Sequence, residues 1–329
     1  MVVFMFWNSK KKLKVLAFSG GAEMGEVSIR IAKALEDHLK KLDSQKNLIE
    51  YFDVVTGNSI GSIITSCLVV PSDKNPKKLK FTLDECIKNF NKDLNSINSN
   101  INIWDKLSLI LNFKNHILTE KDVFFIDNMC GDTKLSEAII PINIISYDIE
   151  NDTPRIWSTY EAKHDPKKDF YLKDAIGASV SIPPLLSKKT TISEDQEKLI
   201  DYDGGIITPS PLFISLPYIS KVSNTTINDF FIISIGTTIT DAKKILENFD
   251  NQHVLLQAKD FINISRQITK PVFDDFLKYV YKEFYKLDLK VPSEIQHSLY
   301  NKNKSKDVDN YNKMIACAMK YIDKNEKLF

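Results

Sequence analysis

With 329 residues, 44 lysines and arginines against 43 aspartates and glutamates, and a formal net charge of +1, the chain lacks the basic excess that draws a protein as a whole to nucleic acid or an anionic membrane. A composition of 43% hydrophobic and 26% charged residues fits one large α/β unit with helical additions. Its four widely spaced cysteines, Cys67, Cys86, Cys130 and Cys317, contain no C-x-x-C pair, which argues against a zinc site and a disulfide framework and leaves Cys67 as a buried thiol in a reducing compartment.

In chain order, residues 1–13 come first: Val2-Val3-Phe4-Met5-Phe6-Trp7 is apolar and Lys10-Lys11-Lys12 follows. The run is too short to span a bilayer, and its lysines lie on the wrong side of it for a secretory signal. It reads equally as an interfacial anchor or as a segment packed on the protein's own surface or in a dimer. Leu13 to Phe18 reads as a strand, and Gly25 to Lys41 has helical periodicity through Val27, Ile31, Ala34, Leu35 and Leu39. Between them lies Ser19-Gly20-Gly21-Ala22-Glu23-Met24-Gly25. A glycine-rich turn from strand to helix presents free N–H groups to an anion, either a phosphate or a developing oxyanion. G-x-G-x-x-G is absent, and a P-loop needs Lys-Ser or Lys-Thr where this chain has Glu26-Val27. An oxyanion hole is the better reading.

The second unit repeats the architecture. Tyr51 to Thr56 reads as a buried strand, Gly57-Asn58-Ser59-Ile60-Gly61 is a G-x-S-x-G nucleophile elbow, and Ile60 to Val70 reads as a helix. Such a strand-turn-helix holds its serine in a strained turn with the hydroxyl presented, and glycines on either side let the two elements pass closely. Residues 71–129 form a polar insertion with helical patches at Phe81 to Leu94 and Trp104 to Phe113. It reads as a lid over the site or as a helical hairpin covering one face of the sheet.

Further strands are expected near 140–147, 199–203 and 230–235. The fourth of the five ends in Asp203-Gly204-Gly205, a common turn tripeptide whose aspartate is also a candidate base. A Ser-Asp-His order would need a histidine after Asp203, but His253 and His297 sit in lysine-rich helical stretches, and His38, His116 and His164 precede it without motif context. Residues 241–329 read as mostly helical, with aromatics such as Phe273, Phe276, Tyr279 and Tyr281 spaced as core.

These motifs resemble the patatin-like phospholipases, acyl hydrolases with a Ser-Asp dyad. The resemblance extends to Gly131-Asp132-Thr133-Lys134-Leu135, Ile144-Ile145-Ser146-Tyr147-Asp148, Ala178-Ser179-Val180-Ser181-Ile182-Pro183-Pro184 and Ile233-Ser234-Ile235-Gly236-Thr237, and covers about 14–240 in the family's order. It implies Ser59 as nucleophile and Asp203 as its base. Gly20, Gly21 and Ala22 would form the oxyanion hole, chiefly through the N–H groups of Gly21 and Ala22, with Gly25, Gly57, Gly61, Gly204 and Gly205 as supporting turn residues. Departures are Ala22 and Met24, where the family has a third glycine and a basic residue, Ser62 in place of a glycine, and Thr208-Pro209-Ser210-Pro211.

The expected fold is a three-layer α/β/α unit with a largely parallel sheet, comprising a 14–240 catalytic domain and a helical 241–329 region packed on it. The expected function is a phospholipase A-type lipid acyl hydrolase working through acyl-Ser59, without metal or cofactor. Its substrate is a phospholipid or another acyl-ester lipid met at a membrane surface, in a cytoplasmic and peripherally associated protein. Two alternatives stand beside it. One is a lipid- or protein-binding module that has lost activity, and the other is an effector lipase that works only with an activating protein or small ligand.

Overall fold

The chain's computed structural model describes residues 12–20, 25–41, 43–89, 124–182, 187–239 and 268–291, with the isolated helical positions Lys313, Ala316 and Lys320. Expectations for residues 1–11, for most of the insertion (90–123), for the histidines at 116, 253 and 297 and for most of the C-terminal region lie outside them.

Strand β1 (Leu13–Phe18) shows how the layers arise. Val15 to Phe18 are fully buried, and the period-2 alternation of a strand sends Leu16 and Phe18 to one face and Val15 and Ala17 to the other. Leu16 and Phe18 join the larger core, where α1 (Gly25–Leu39) and α2 (Ile60–Cys67) contribute Val27, Ile31, Ile63 and Ile64. Val15 and Ala17 join a second core under α6 (Leu212–Ser223) and a helix over 268–280. Strands covered on both faces read as continuous apolar runs, the habit of parallel sheets.

The main sheet has eight strands, with the order β10 (Phe284–Val291), β9 (Phe230–Ile239), β1, β2 (Val54–Asn58), β5 (Ile142–Asp148), β8 (Lys198–Asp203) and β7 (Lys189–Ile192), while β6 (Thr153–Ser158) pairs with β5. The first five run parallel to their neighbours. β6 and β8 lie antiparallel to β5, and β7 antiparallel to β8. The α/β class and the mostly parallel sheet agree with the sequence reading. Among the remaining elements, β3 (Pro71–Ser72) and β4 (Asn75–Leu79) form a small hairpin at the start of the insertion. A helix over 83–89 and α3 (Phe124–Cys130) frame the rest of it, and α4 (Thr159–His164) and α5 (Leu172–Val180) follow β6.

Three features differ from the sequence reading. Residues 284–291, assigned to a helical region, form β10, because Phe284, Lys286 and Asp288 alternate with Tyr285 and Leu287 and pair in register with β9. Phe276 and Tyr279, read as core, are exposed, since Leu277 and Tyr281 take the inward positions of that segment. Cys67 is not a free thiol: it forms a disulfide with Cys86, with the two Cα atoms 6.3 Å apart, tying the end of α2 to the 83–89 helix. Among the described residues, no helix is long and apolar enough to cross a membrane.

Candidate active site

The site begins with backbone geometry. Ser59 closes β2 at φ 53° and ψ −132°, and α2 starts at Ile60. A non-glycine residue in such a region costs about 1–3 kcal/mol and persists only where its surroundings enforce it. Here they do so through two absent side chains. A Cβ at Gly57 would stand 2.5 Å from the Gly61 carbonyl oxygen and 2.6 Å from Thr65 Oγ1, and a Cβ at Gly61 would run into the Phe18 carbonyl of β1. Glycine at both positions lets β2, α2 and β1 pack against one another. Ser62, which departs from the family's glycine, donates its hydroxyl to the Ser59 carbonyl at 2.6 Å and so braces the same turn.

Asp203 reaches Ser59 through the topology of β5. β2 lies along one edge of β5 from Ile142 to Ile145, with Asn58 opposite Ile145. β8 takes over that edge at the next residue, with Asp203 opposite Ser146, but runs the other way. The carboxyl ends of the two strands therefore meet head on. Ser59 Oγ donates to Asp203 Oδ2 at 2.6 Å, and the Gly205 N–H donates to Asp203 Oδ1 at 2.6 Å. Asp203 is fully buried and Ser59 only 7% exposed. Gly204 permits the closeness: a Cβ there would strike the Ile145 carbonyl and lie 3.4 Å from Asn58 Cβ.

Two residues outside the original candidates complete the frame. Asn58 accepts the Gly20 N–H on Oδ1 at 2.9 Å and donates Nδ2 to the Thr208 carbonyl at 2.9 Å, joining the first motif, the elbow and the loop after Asp203. Ser179 accepts the Ser59 N–H at 2.9 Å and donates to the Ile145 carbonyl at 2.7 Å. The signal for Asn58 was a short polar side chain inside a buried strand end, and Ser179 lay in a segment marked by resemblance but given no role. Gly20 thus directs its N–H to Asn58 and not into an anion pocket. Gly21 and Ala22 lie outside the described residues, while Gly25 opens α1.

A second buried network flanks Asp203. Asp201 Oδ1 accepts from Ser146 Oγ at 2.7 Å and from Arg155 Nε at 3.0 Å, and Trp157 Nε1 donates to Ser146 Oγ at 2.8 Å. Burial pushes the Asp201 carboxyl up, against the pull of Ser146 and Arg155. Burial also acts to raise the Asp148 carboxyl, yet Asn151 and Arg155 hold it below the ordinary carboxylate range. Among the described residues, no group of three acidic, histidine or cysteine side chains is placed to hold a metal ion. His164 stacks on Tyr160 within α4.

The model of the family described as patatin-like phospholipase matches residues 16–215. Among similar proteins, "Patatin-like protein 2" of Arabidopsis thaliana is 28% identical over 67% of this chain and 55% of its own length. The protein of the same name from Oryza sativa subsp. indica is 28% identical over 69% of this chain and 61% of its own, and "Patatin-1-Kuras 2" of Solanum tuberosum 24% over 75% and 67%. The chain thus spans little more than half the length of the first of these relatives. Among solved structures, VipD from Legionella pneumophila aligns with a TM-score of 0.37 at 13% identity, over 73% of this chain and 54% of that one.

Proposed function

We propose that this chain, which belongs to the patatin-like phospholipase family, is a lipid acyl hydrolase that cleaves fatty acyl esters through an acyl-Ser59 intermediate. The observation that carries the reading is the direct 2.6 Å hydrogen bond from Ser59 Oγ to Asp203 Oδ2 at a strained elbow. As Oγ attacks the ester carbonyl carbon, its proton passes to the Asp203 carboxylate. The tetrahedral intermediate collapses, the ester C–O bond breaks, and the departing alcohol takes that proton. Water then gives a proton to the same carboxylate, attacks the acyl carbon and releases the fatty acid as Ser59 regains its hydrogen.

Proton transfer from a hydroxyl to a carboxylate is uphill, so stabilisation of the oxyanion must carry much of the rate. By family resemblance the N–H groups of Gly21 and Ala22 receive it. Each such donor is worth about 3–4 kcal/mol, and the amino end of α2 adds its positive dipole end. Gly20 takes the supporting part of fixing Asn58. No histidine is required, since Asp203 touches Ser59 directly.

Lipid mass spectrometry of phosphatidylcholine and phosphatidylglycerol vesicles, after incubation with wild type and with Ser59→Ala, tests the reading. Free fatty acid and lysolipid should accumulate with wild type and stay at background with the variant. Equal release by both, or none by either on vesicles and on a soluble ester, would overturn it. Peripheral membrane association belongs to the same proposal: deleting residues 2–12 should weaken vesicle binding and leave hydrolysis of a soluble short-chain ester intact. Unchanged vesicle binding would refute the anchor.

A further inference from the structure

The sheet face that packs α6 and the 268–280 helix changes character along its strands. At their amino ends Val15, Ile232 and Phe284 pack against Leu216 and Leu277. Toward the carboxyl ends, where Ser59 stands, four charged side chains replace them. Lys270 Nζ lies 2.7 Å from Asp288 Oδ2 and 3.9 Å from Asp274 Oδ2, and Lys286 Nζ lies 2.6 Å from Asp274 Oδ2 and 2.9 Å from Asp288 Oδ2. Lys270, Asp274 and Asp288 are 6%, 4% and 9% exposed. A buried ion cluster is weak evidence of stability, because an apolar group of similar volume commonly does as well or better. The placement of the cluster has to be explained by something else.

Its location supplies that explanation. Gly236 of β9 carries no side chain, and the space above it is shared: a Cβ there would stand 3.0 Å from Lys270 Nζ, 3.2 Å from Ser19 Cβ and 3.4 Å from Ser19 Oγ. Ser19 donates its N–H to the Ile235 carbonyl at 3.0 Å. The next residue, Gly20, donates to Asn58, the neighbour of Ser59. Lys270 Nζ thus borders the same small space as Ser19, whose buried Oγ has no hydrogen-bond partner among the described residues, and Ser19 leads on to the elbow through Gly20 and Asn58. Lys270 comes from beyond residues 16–215, the family-matched part of the chain.

We propose that Lys270 is a positioning residue, held by Asp288 and Asp274, that braces the Ser19–Gly20 backbone at the carboxyl ends of β1 and β9 and so keeps Asn58 and the elbow in place. The proposal rests on the reading of Ser59 as nucleophile for its effect on turnover, but not for the brace itself. Two variants perturb the same shared space. Lys270→Met keeps a long chain and removes the charge; Gly236→Ala keeps all four charges and inserts a methyl at the shared point.

Amide hydrogen exchange and kinetics on a soluble ester read the result. Both variants should speed exchange at Ser19 and Gly20 about tenfold while the Val55 amide, bonded to Pro141, is unchanged. They should lower kcat about tenfold with KM within about twofold, the mark of misplacement without lost binding. Exchange that is unaltered or rises evenly across the sheet, or wild-type kcat in a folded variant, would overturn the proposal. Should Lys270→Met fail to fold, Gly236→Ala decides by the same criteria. Exchange needs no turnover, so a wild-type protein without Ser59-dependent hydrolysis would refute the proposed function and still leave the brace to be decided.

Discussion

Substituting Asp203 by asparagine changes little more than one atom, and the structure dictates how that atom is placed. The Gly205 N–H points at Oδ1 from 2.6 Å and needs an acceptor there, so the amide oxygen must take that position. The amide nitrogen is then left facing Ser59 Oγ, where it donates instead of accepting. The bond that held the serine proton is reversed in polarity, and nothing in the Asp203 position can receive that proton. Loss of a positioned general base costs about a hundred- to ten-thousand-fold in rate, equivalent to about 3–5 kcal/mol of barrier. Steady-state turnover of a fluorogenic short-chain ester, with melting temperature as the control for folding, measures this. Ser59→Ala should abolish turnover, and the double variant should be scarcely worse than either single, because residues acting in one step are strongly non-additive. His253→Ala and His297→Ala should each stay within a few-fold of wild type. An Asp203→Asn protein within about tenfold of wild type, where base loss predicts a hundredfold or more, would refute the dyad, as would a histidine variant as inactive as Ser59→Ala in folded protein.

Gly61→Ala should lower stability by about 1–3 kcal/mol, the range for forced overpacking, since its methyl meets the Phe18 backbone and not a yielding side chain; an unchanged melting temperature would count against the packed elbow. Reducing the Cys67–Cys86 bond, which closes a sequence separation of 19, should lower the free energy of unfolding by about 3 kcal/mol in the chain-entropy account, and coincident denaturant curves with and without dithiothreitol would contradict it. Because burial raises the Asp201 carboxyl above its ordinary 3.8, the folded state holds that proton more tightly. The contribution of Asp201 to stability is therefore complete below pH 3.8 and declines as pH rises through the folded value. The stability of Asp201→Asn relative to wild type should accordingly increase from pH 4 to pH 7 in urea titrations, and a flat or falling difference would show the sign to be wrong.

The local parts of the site were legible because their chemistry is written in short spans. Glycine at 57 and 61 around Ser59 announces a turn too tight for side chains, and an apolar strand before it with an apolar helix after it fixes where that turn lies. The layered parallel sheet followed from the same alternation of elements. What the sequence did not show depends on neighbours far along the chain. β8 runs antiparallel at the end of β2, a consequence of how two strands share the β5 edge and not of anything in Lys198–Asp203. Asn58 gains its role from partners at Gly20 and Thr208, on segments remote from it. β10 was hidden because aromatic residues recur from the helix into the strand with no glycine or proline between 276 and 285 to mark the boundary, and the disulfide because its two cysteines match no compact spacing motif.

The head-on meeting of β2 and β8 also governs when Ser59 and Asp203 can first meet. Ser59 and Asp203 are 144 residues apart, and the edge on which they meet belongs to a strand made between them. A chain still emerging from the ribosome therefore carries Ser59 through 144 residues of synthesis before Asp203 is made. The Ser59–Asp203 pair comes into being only as β8 docks, by which point β1, β2 and β5 have all been made. On the proposed mechanism, a partly made chain that lacks β8 is inactive.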